Sequence, residues 1–279
     1  MSTITKKDLE CYNHYLQNEE KSKNTIEKYL RDANAFALFL QGQSPTKELA
    51  ISYKNKLVAD GYAPRSVNSM LASLNCLFTF LNRGDCVVKS LKIQRNSYCS
   101  GEKELTREEY TRLVSAARYK GNHRIDLLLQ TVCGTGIRVS ELKYITVEAV
   151  KSGRAIVSLK GKTRIIFIVE KLQKKLLDYA RRLRISSGSV FVTRTGKPMD
   201  RTQVWREMKR LCSDAGVDPK KVFPHNFRHL FARTFYGVEK DIVKLADLLG
   251  HNSVDTTRIY LVSTGAEHRR RLESLHLVL

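Results

Sequence analysis

The apolar residues in the first 95 positions recur at intervals of three and four, and this spacing constrains the fold more than any other feature of the sequence. The pattern is clearest between Thr25 and Gly42 and in the segment that follows Pro64. Such spacing lines the apolar side chains along one face of an α-helix. Because no alternating strand pattern occurs before residue 95, we predict an all-helical domain of four helices over residues 1–95.

The remainder of the chain combines helical spacing with two short β-rich runs. Residues 96–103 are polar and show no periodicity, which predicts a linker between two domains. The runs 155–159 and 165–169 are rich in β-branched residues, and the basic segment KGKTR between them predicts a hairpin with a basic tip. Because helical patterns surround this hairpin, we predict a mainly α domain with a small β-sheet over residues 104–279.

The charge of the chain indicates the kind of partner that it has. Its formal net charge is +21, from 49 basic and 28 acidic residues. Such an excess of lysine and arginine favours a polyanion as partner, most often nucleic acid. From charge alone, the alternative is a basic protein that has no nucleic-acid partner.

The composition also bears on compartment and cofactors. The sequence contains no apolar segment of membrane-spanning length and no secretory leader, and its six cysteines are scattered without a CxxC pair. This pattern argues against a disulfide framework and against a cysteine zinc site. We therefore predict a cytoplasmic protein that has no membrane association, no metal and no cofactor.

The residues best suited to catalysis lie between Pro224 and Tyr260. His225 and Arg228 are three positions apart, so on a helix both can point into one pocket. A histidine beside an arginine suggests proton transfer next to an anion. The tyrosine that follows a second histidine, His251, suggests a nucleophile with a proton acceptor nearby.

A second segment with residues suited to anion binding or catalysis precedes the hairpin. In the sequence GTGIRVSEL, a glycine-rich turn leads to Arg138 at the start of a short predicted helix. Helix N-termini and guanidinium groups both suit phosphate oxygens, but no Gly-Lys-Ser/Thr follows, so a Walker-type phosphate loop is excluded. From this segment alone, a surface arginine or an ion-pair partner for Glu141 is the favoured interpretation.

Taken together, four segments resemble the tyrosine recombinase (phage integrase, Xer-like) family. The segments GTGIRVSEL, LKGKTR, PHNFRH and LLGHNSVDTTRIY occur in the family's order and at roughly its spacing. The resemblance covers nearly the whole chain and implies a core-binding domain at residues 1–95 and a catalytic domain at residues 104–279. Residue by residue, it implies a catalytic set of Arg138, Lys160, His225, Arg228, His251 and Tyr260. It also matches Glu141 to an acidic position that braces the site.

The hairpin departs from the family pattern, and this leaves its lysine open. The segment KGKTR is one residue shorter than the common Gly-Lys-Gly-x-Lys-x-Arg form. Alignment on Lys-Gly makes Lys160 the catalytic lysine, whereas alignment on Arg164 favours Lys162; we prefer Lys160. His229 falls on a family position outside the catalytic set, and we predict that it packs against its surroundings.

The resemblance implies site-specific cleavage and rejoining of DNA through a covalent 3′-phosphotyrosyl intermediate. Two arginines would stabilise the phosphorane charge without a metal. A hairpin lysine would donate a proton to the leaving group, and His225 would accept the tyrosine proton. His251 would hydrogen-bond the phosphate. The two domains would lie on opposite sides of a DNA duplex, in a tetramer assembled on the recombination site.

Two alternatives remain open at the level of sequence. One is a type IB topoisomerase-like enzyme, which relaxes DNA with the same chemistry, and the other is a DNA-binding accessory protein that does not cleave. The sequence does not distinguish integration, excision, inversion and dimer resolution, nor does it show whether a second recombinase or an accessory protein takes part. Leu272, Leu275 and Leu279 have helical spacing in the C-terminal tail, which is predicted to dock on its own subunit or on a neighbour.

Overall fold

The chain folds into two units, Met1–Arg95 and Asn96–Leu279. The structure, a computed structural model, describes residues 3–93, 104–159, 162–251, 253–261 and 273–274. Helices predominate in both units, and the strands form a single two-stranded sheet among the described residues. The prediction of a mainly α protein with a small β-sheet is therefore confirmed. The predicted linker at 96–103 and most of the C-terminal tail lie outside the described residues.

The first unit is a bundle of four helices. They are α1 (Lys6–Asn18), α2 (Lys23–Leu40), α3 (Lys47–Ala59) and α4 (Pro64–Phe80), followed by a 3₁₀ turn at Gly84–Cys86. Aromatic rings fill the core between α2 and α4, where Phe36 and Phe78 meet edge to face with ring centroids 5.5 Å apart. This is the arrangement that the helical spacing of apolar residues predicts for each helix.

A buried polar network crosses the core of the first unit and links α2 to α4. Asp32 is 2% exposed, and its carboxylate accepts hydrogen bonds from Lys28 Nζ at 2.6 Å and from Ser73 Oγ at 2.8 Å. Lys28 Nζ also donates to Ser73 Oγ and to the carbonyl of Ser69. A buried carboxylate is stable only when it is paired in this way. The network therefore fixes one arrangement of the two helices.

Replacement of Asp32 by alanine should destabilise the first unit by about 2 kcal/mol, because Lys28 and Ser73 lose the charged acceptor that they share and keep only neutral oxygens. A matched control is Asp60, which pairs with Lys56 at the same i,i+4 spacing but is 42% exposed. Its replacement should cost no more than about 0.5 kcal/mol. Hydrogen exchange of the α2 and α4 amides measures both changes. Equal losses in the two variants would contradict a special role for the buried network.

The second unit contains nine helices among its described residues, together with the hairpin. Those before the hairpin are α5 (Arg107–Tyr119), α6 (His123–Thr135) and α7 (Val147–Ser152), with a 3₁₀ segment at Val139–Tyr144. Those after it are α8 (Glu170–Arg182), α9 (Arg201–Arg210), α10 (Cys212–Ala215), α11 (Pro224–Glu239), α12 (Ile242–Leu249) and α13 (Val254–Arg258), with 3₁₀ turns at Pro219–Lys221 and Ile259–Leu261. A capping box formed by Thr106 and Glu109 begins α5.

The hairpin pairs β1 (Arg154–Leu159) with β2 (Lys162–Phe167) in antiparallel register. We predicted the second strand at 165–169 and the whole segment KGKTR as the tip, and this is wrong. Only two residues connect the strands, and such a short connection lets the ladder continue to its end. Arg164 therefore lies within β2, opposite the buried Val157. The run 190–193 is also rich in residues typical of strands, but it forms an isolated bridge, between Val192 and Pro198, and no strand.

The two faces of the hairpin differ in their surroundings. The face that carries Val157, Arg164 and Ile166 is turned to the core of the second unit, and the Arg164 side chain is 12% exposed. The opposite face carries Ile156 and Ile165, which are exposed. An arginine on the buried face needs partners for its charge.

None of the helices in the described part of the chain is long and apolar enough to cross a membrane.

Candidate active site

The N-terminal half of α11 supplies the centre of the candidate site. Pro224 occupies the first turn, where a missing N–H costs nothing. The helix then places Arg228 inward at 3% exposure. The Arg228 guanidinium donates to the carbonyl of Gly136, to the carbonyl of Leu249 at 2.6 Å, and to Nε2 of His251 at 3.0 Å. Its position is therefore fixed by three separate acceptors.

Three arginines meet at the carboxyl end of α12. Each of them donates a hydrogen bond to one of three successive backbone carbonyls. Arg164 donates to Leu248 O at 2.8 Å, Arg228 to Leu249 O at 2.6 Å, and Arg138 to Gly250 O at 3.2 Å. The last carbonyls of a helix lack internal partners, and they carry the negative end of the helix dipole. The end of α12 therefore holds positive groups together in a cluster suited to an anion.

Glu141 joins two of these arginines. Its carboxylate is 1% exposed and accepts from Arg138 Nη1 and from the Arg138 backbone N–H, each at 2.9 Å, as well as from Arg164 Nη2. Burial alone would raise the pKa of Glu141, but the Arg138 amide and the Arg164 charge outweigh it and hold the pKa below its ordinary value. Glu141 therefore stays ionised and braces both guanidinium groups.

Two glycines of the sequence motifs are required by this packing. Gly136 and Gly250 end α6 and α12, and each has a φ of +63°. A side-chain carbon at Gly136 would lie 2.5 Å from the Phe231 ring, and one at Gly250 would collide with Cδ of Arg164. Only glycine combines a left-handed conformation with so close an approach.

The Tyr260 ring lies among three imidazoles. Its centroid is 4.3 Å from that of His229, 5.4 Å from that of His251 and 5.6 Å from that of His225. Tyr260 is 4% exposed, so the candidate nucleophile is enclosed by its own unit. We predicted that His229 packs against its surroundings, and its packing partners include this tyrosine.

The three histidines are neutral at neutral pH. Burial and the nearby arginines lower the pKa of His251 to about 4, and burial with His225 and Arg228 lowers that of His229 to about 4. Burial and Arg228 also lower the pKa of His225. His251 Nε2 faces Arg228, which can only donate, so Nε2 accepts and Nδ1 carries the proton toward Thr257 Oγ1 at 2.7 Å. In this state His251 orients Arg228 and has no free N–H for a phosphate.

The structure brings together five of the six residues that the sequence suggested, namely Arg138, His225, Arg228, His251 and Tyr260. Lys160 lies outside the described residues, and for Lys162 only the position in β2 is described. Sequence reasoning treated Arg164 only as an alignment anchor. The sequence nevertheless contains a pattern that points to Arg164. It alternates with Ile166 and Ile168, which are buried, and this spacing places a charged residue on the buried face of a strand.

The depressed histidine pKa values predict acid sensitivity of the second unit. A folded-state pKa near 4 lies below the unfolded value of about 6.5, so protons bind the unfolded chain better, and stability falls as pH falls through this interval. The urea midpoint, followed by the fluorescence of the single tryptophan, Trp205, should therefore drop between pH 7 and pH 5.5. His229→Gln should flatten this dependence.

A control for the acid sensitivity is His123, which is exposed at the start of α6. His123→Gln should keep the pH dependence of the unsubstituted protein. A urea midpoint that is the same at pH 7 and pH 5.5 would contradict the burial of neutral histidines around Tyr260.

Comparisons with known proteins show the family of the chain. The model described as "Phage integrase family" matches residues 103–267, and "Phage integrase, N-terminal SAM-like domain" matches residues 9–84. The tyrosine recombinase XerA of Pyrococcus furiosus is 33% identical over 99% of this chain and 96% of its own. The tyrosine recombinase XerD of Xanthomonas campestris pv. campestris is 27% identical over 91% of this chain and 85% of its own.

Solved structures show the same fold. A crystal structure of XerA recombinase covers 99% of this chain and 100% of its own, at 25% identity and a TM-score of 0.54. A lambda integrase(75–356) dimer bound to a COC′ core site covers 93% of this chain and 95% of its own, at 18% identity and a TM-score of 0.74. With family models matching both units and a relative at 33% identity over nearly its full length, the chain belongs to the phage integrase family of tyrosine recombinases.

Proposed function

We propose that the protein is a site-specific tyrosine recombinase that cleaves and rejoins DNA through a covalent 3′-phosphotyrosyl intermediate. The observation that carries this proposal is the placement of Tyr260 among neutral imidazoles, beside guanidinium groups anchored on the end of α12. Neutral imidazoles can accept a proton, and fixed guanidinium groups can stabilise phosphoryl charge. Both are what a phenol needs in order to attack a phosphodiester.

In the cleavage step, the Tyr260 hydroxyl oxygen attacks phosphorus and the bond from phosphorus to the 5′ oxygen breaks. The proton of the phenol passes to His225, whose lowered pKa leaves it unprotonated at neutral pH. Arg138 and Arg228 stabilise the negative charge of the five-coordinate phosphorus. His251, held by Thr257, keeps Arg228 in place.

In the rejoining step, a 5′ hydroxyl from the same strand or from a partner strand attacks the phosphotyrosine. The phosphodiester re-forms, the bond from phosphorus to the tyrosine oxygen breaks, the proton of the 5′ hydroxyl passes to the hairpin lysine, and Tyr260 recovers its own proton from His225. Because each step exchanges one phosphoester for another, no nucleotide cofactor is consumed. Strand exchange follows when the attacking hydroxyl belongs to the other DNA duplex.

The 5′ oxygen must receive a proton as it leaves, and we assign this role to Lys160, with Lys162 as the alternative. Lys160→Ala and Lys162→Ala should be compared on a substrate whose leaving oxygen is replaced by sulfur, which leaves without protonation. The defect of the true general acid should largely disappear on this substrate. The other variant should behave alike on both substrates, and rescue of neither variant would contradict a lysine acid.

We further propose that the protein acts on double-stranded DNA as a homotetramer in the cytoplasm. A lambda integrase tetramer bound to a Holliday junction matches the fold of this chain with a TM-score of 0.74 at 19% identity, and the net charge of +21 suits a DNA partner.

The proposed function is tested by trapping covalent complexes on genomic DNA fragments, in the presence of EDTA, and sequencing the attached DNA. In the described part of the chain, no three His, Cys, Asp or Glu side chains are grouped to hold a metal ion. We therefore expect adducts in EDTA, at few sites, with strand exchange between two copies of a recovered site. Relaxation without site preference would favour a topoisomerase, and binding without adducts would favour an accessory protein.

A further inference from the structure

Arg164 reaches the candidate site from the hairpin, and both of its terminal nitrogens are occupied by protein acceptors. Nη1 donates to Leu248 O at 2.8 Å, and Nη2 donates to Glu141. Nε is buried and has no hydrogen-bond partner among the described residues. With a side-chain exposure of 12%, Arg164 is poorly placed to bind a phosphate. It acts as a brace between two parts of the site.

Arg138 depends on the acceptors that Arg164 holds. The Arg138 side chain is 39% exposed, and its guanidinium donates to Glu141 Oε1 and to Gly250 O. Arg164 donates to the other oxygen of Glu141 and to Leu248 O, two residues before Gly250. Arg164 therefore contacts one acceptor of Arg138, Glu141, directly, and it holds a carbonyl two residues before the other, Gly250 O.

Loss of Arg164 has a specific electrostatic consequence. Glu141 is 1% exposed, and without Arg164 its Oε2 would keep only the Arg138 backbone N–H, so that the Arg138 guanidinium would be its one remaining charged partner among the described residues. A carboxylate and a single arginine prefer a two-bond, side-by-side pairing. Arg138 would turn toward both oxygens, and its donors would turn away from the position of an incoming phosphate.

The chain also leaves space for the Arg164 stem. Gly250, at φ +63°, lies against the Arg164 side chain so closely that an added carbon would collide with Cδ. An aliphatic stem therefore fits the gap, whereas the guanidinium fork is needed to reach two acceptors in different directions. Lysine fills the same gap but carries a single nitrogen.

We propose that Arg164 is a positioning residue: by holding Glu141 and the carboxyl end of α12 together, it orients the Arg138 guanidinium toward the scissile phosphate. This inference rests on the proposed function. It predicts that Arg164→Met and Arg164→Lys slow cleavage by about 10²-fold, the effect of a small misplacement of a catalytic group, while DNA binding stays unchanged.

The test uses single-turnover cleavage of a nicked duplex that carries a site recovered by adduct trapping. One version has the natural phosphodiester, and a second has a methylphosphonate, in which a methyl group replaces one non-bridging oxygen and removes its charge. If Arg164 acts through Arg138, the defect should shrink at least about tenfold on the neutral substrate, since less charge needs stabilising. Arg164→Lys preserves the stem and the charge, so it serves if Arg164→Met does not fold.

Arg154 supplies a matched control, because it is exposed in the paired strand of the same hairpin. Arg154→Met removes the same charge and should leave the cleavage rate of the bound complex unchanged. Three results would overturn the proposal: an equal defect on both substrates, rescue only by a 5′-sulfur leaving group, or no defect. Failure of the proposed function would look different, because the unsubstituted protein would then form no adduct on either substrate.

Discussion

Tyr260→Phe should bind DNA as tightly as the unsubstituted protein and should form no covalent adduct. The substitution removes the attacking oxygen and keeps the ring, which packs among the imidazoles of His225, His229 and His251. Tyr260 is 4% exposed, and phenylalanine preserves the apolar contacts of that position. Nicked suicide duplexes, from which the cleaved strand diffuses away, measure adduct formation, and a binding titration measures affinity.

Tyr236 is the control for this substitution. It lies on α11 and packs against the same cluster of residues as Tyr260. Tyr236→Phe should form adducts at the rate of the unsubstituted protein, because its hydroxyl has no part in the chemistry. An adduct that persists in Tyr260→Phe and is lost in Tyr236→Phe would move the nucleophile to α11.

Arg138→Ala and Arg228→Ala should each slow cleavage by roughly 10²–10³-fold, the cost of losing one preorganised donor to transition-state charge. Binding should change little, since many other basic residues share the DNA charge, in a chain with 49 lysines and arginines. The measurement is single-turnover cleavage at saturating protein, set against a binding titration. Losses of equal size in binding and in cleavage would instead make these arginines binding contacts.

The two arginines should differ in stability. Arg138 is 39% exposed, so its loss should cost the fold little. Arg228 is 3% exposed, and its loss leaves the buried carbonyls of Gly136 and Leu249 without their donor. An unsatisfied buried acceptor costs about 1–3 kcal/mol. Arg228→Ala should therefore unfold at a lower urea concentration than Arg138→Ala, and cleavage must be compared where both are folded.

Local sequence patterns were sufficient for the elements that depend on local physics. The four helices of the first unit follow from apolar spacing, and the capping boxes follow from Thr5 with Asp8 and from Thr106 with Glu109. The short spacing of His225 and Arg228 placed them on one helix. Each of these features depends on residues within one or two turns of each other.

The contacts that assemble the site were not predictable in this way. Arg138 and Gly250 are 112 positions apart, and Arg164 and Leu248 are 84 apart. No periodicity connects such residues, because the contacts arise only when α12 packs beside the hairpin. The error in β2 has a related cause: the strand pattern cannot show how far pairing continues toward the tip, and Arg164 was therefore assigned to a loop.

The central claim is that Tyr260 becomes covalently joined to a DNA 3′ end, and chemical mapping of the adduct tests it most directly. The trapped complex of the unsubstituted protein is digested with trypsin and nuclease, and the nucleotide-bearing peptide is sequenced by mass spectrometry. We predict a 3′-phosphate on Tyr260, together with a free 5′ hydroxyl on the released strand. A nucleotide on any other residue, or a linkage through the 5′ phosphate, would contradict the account.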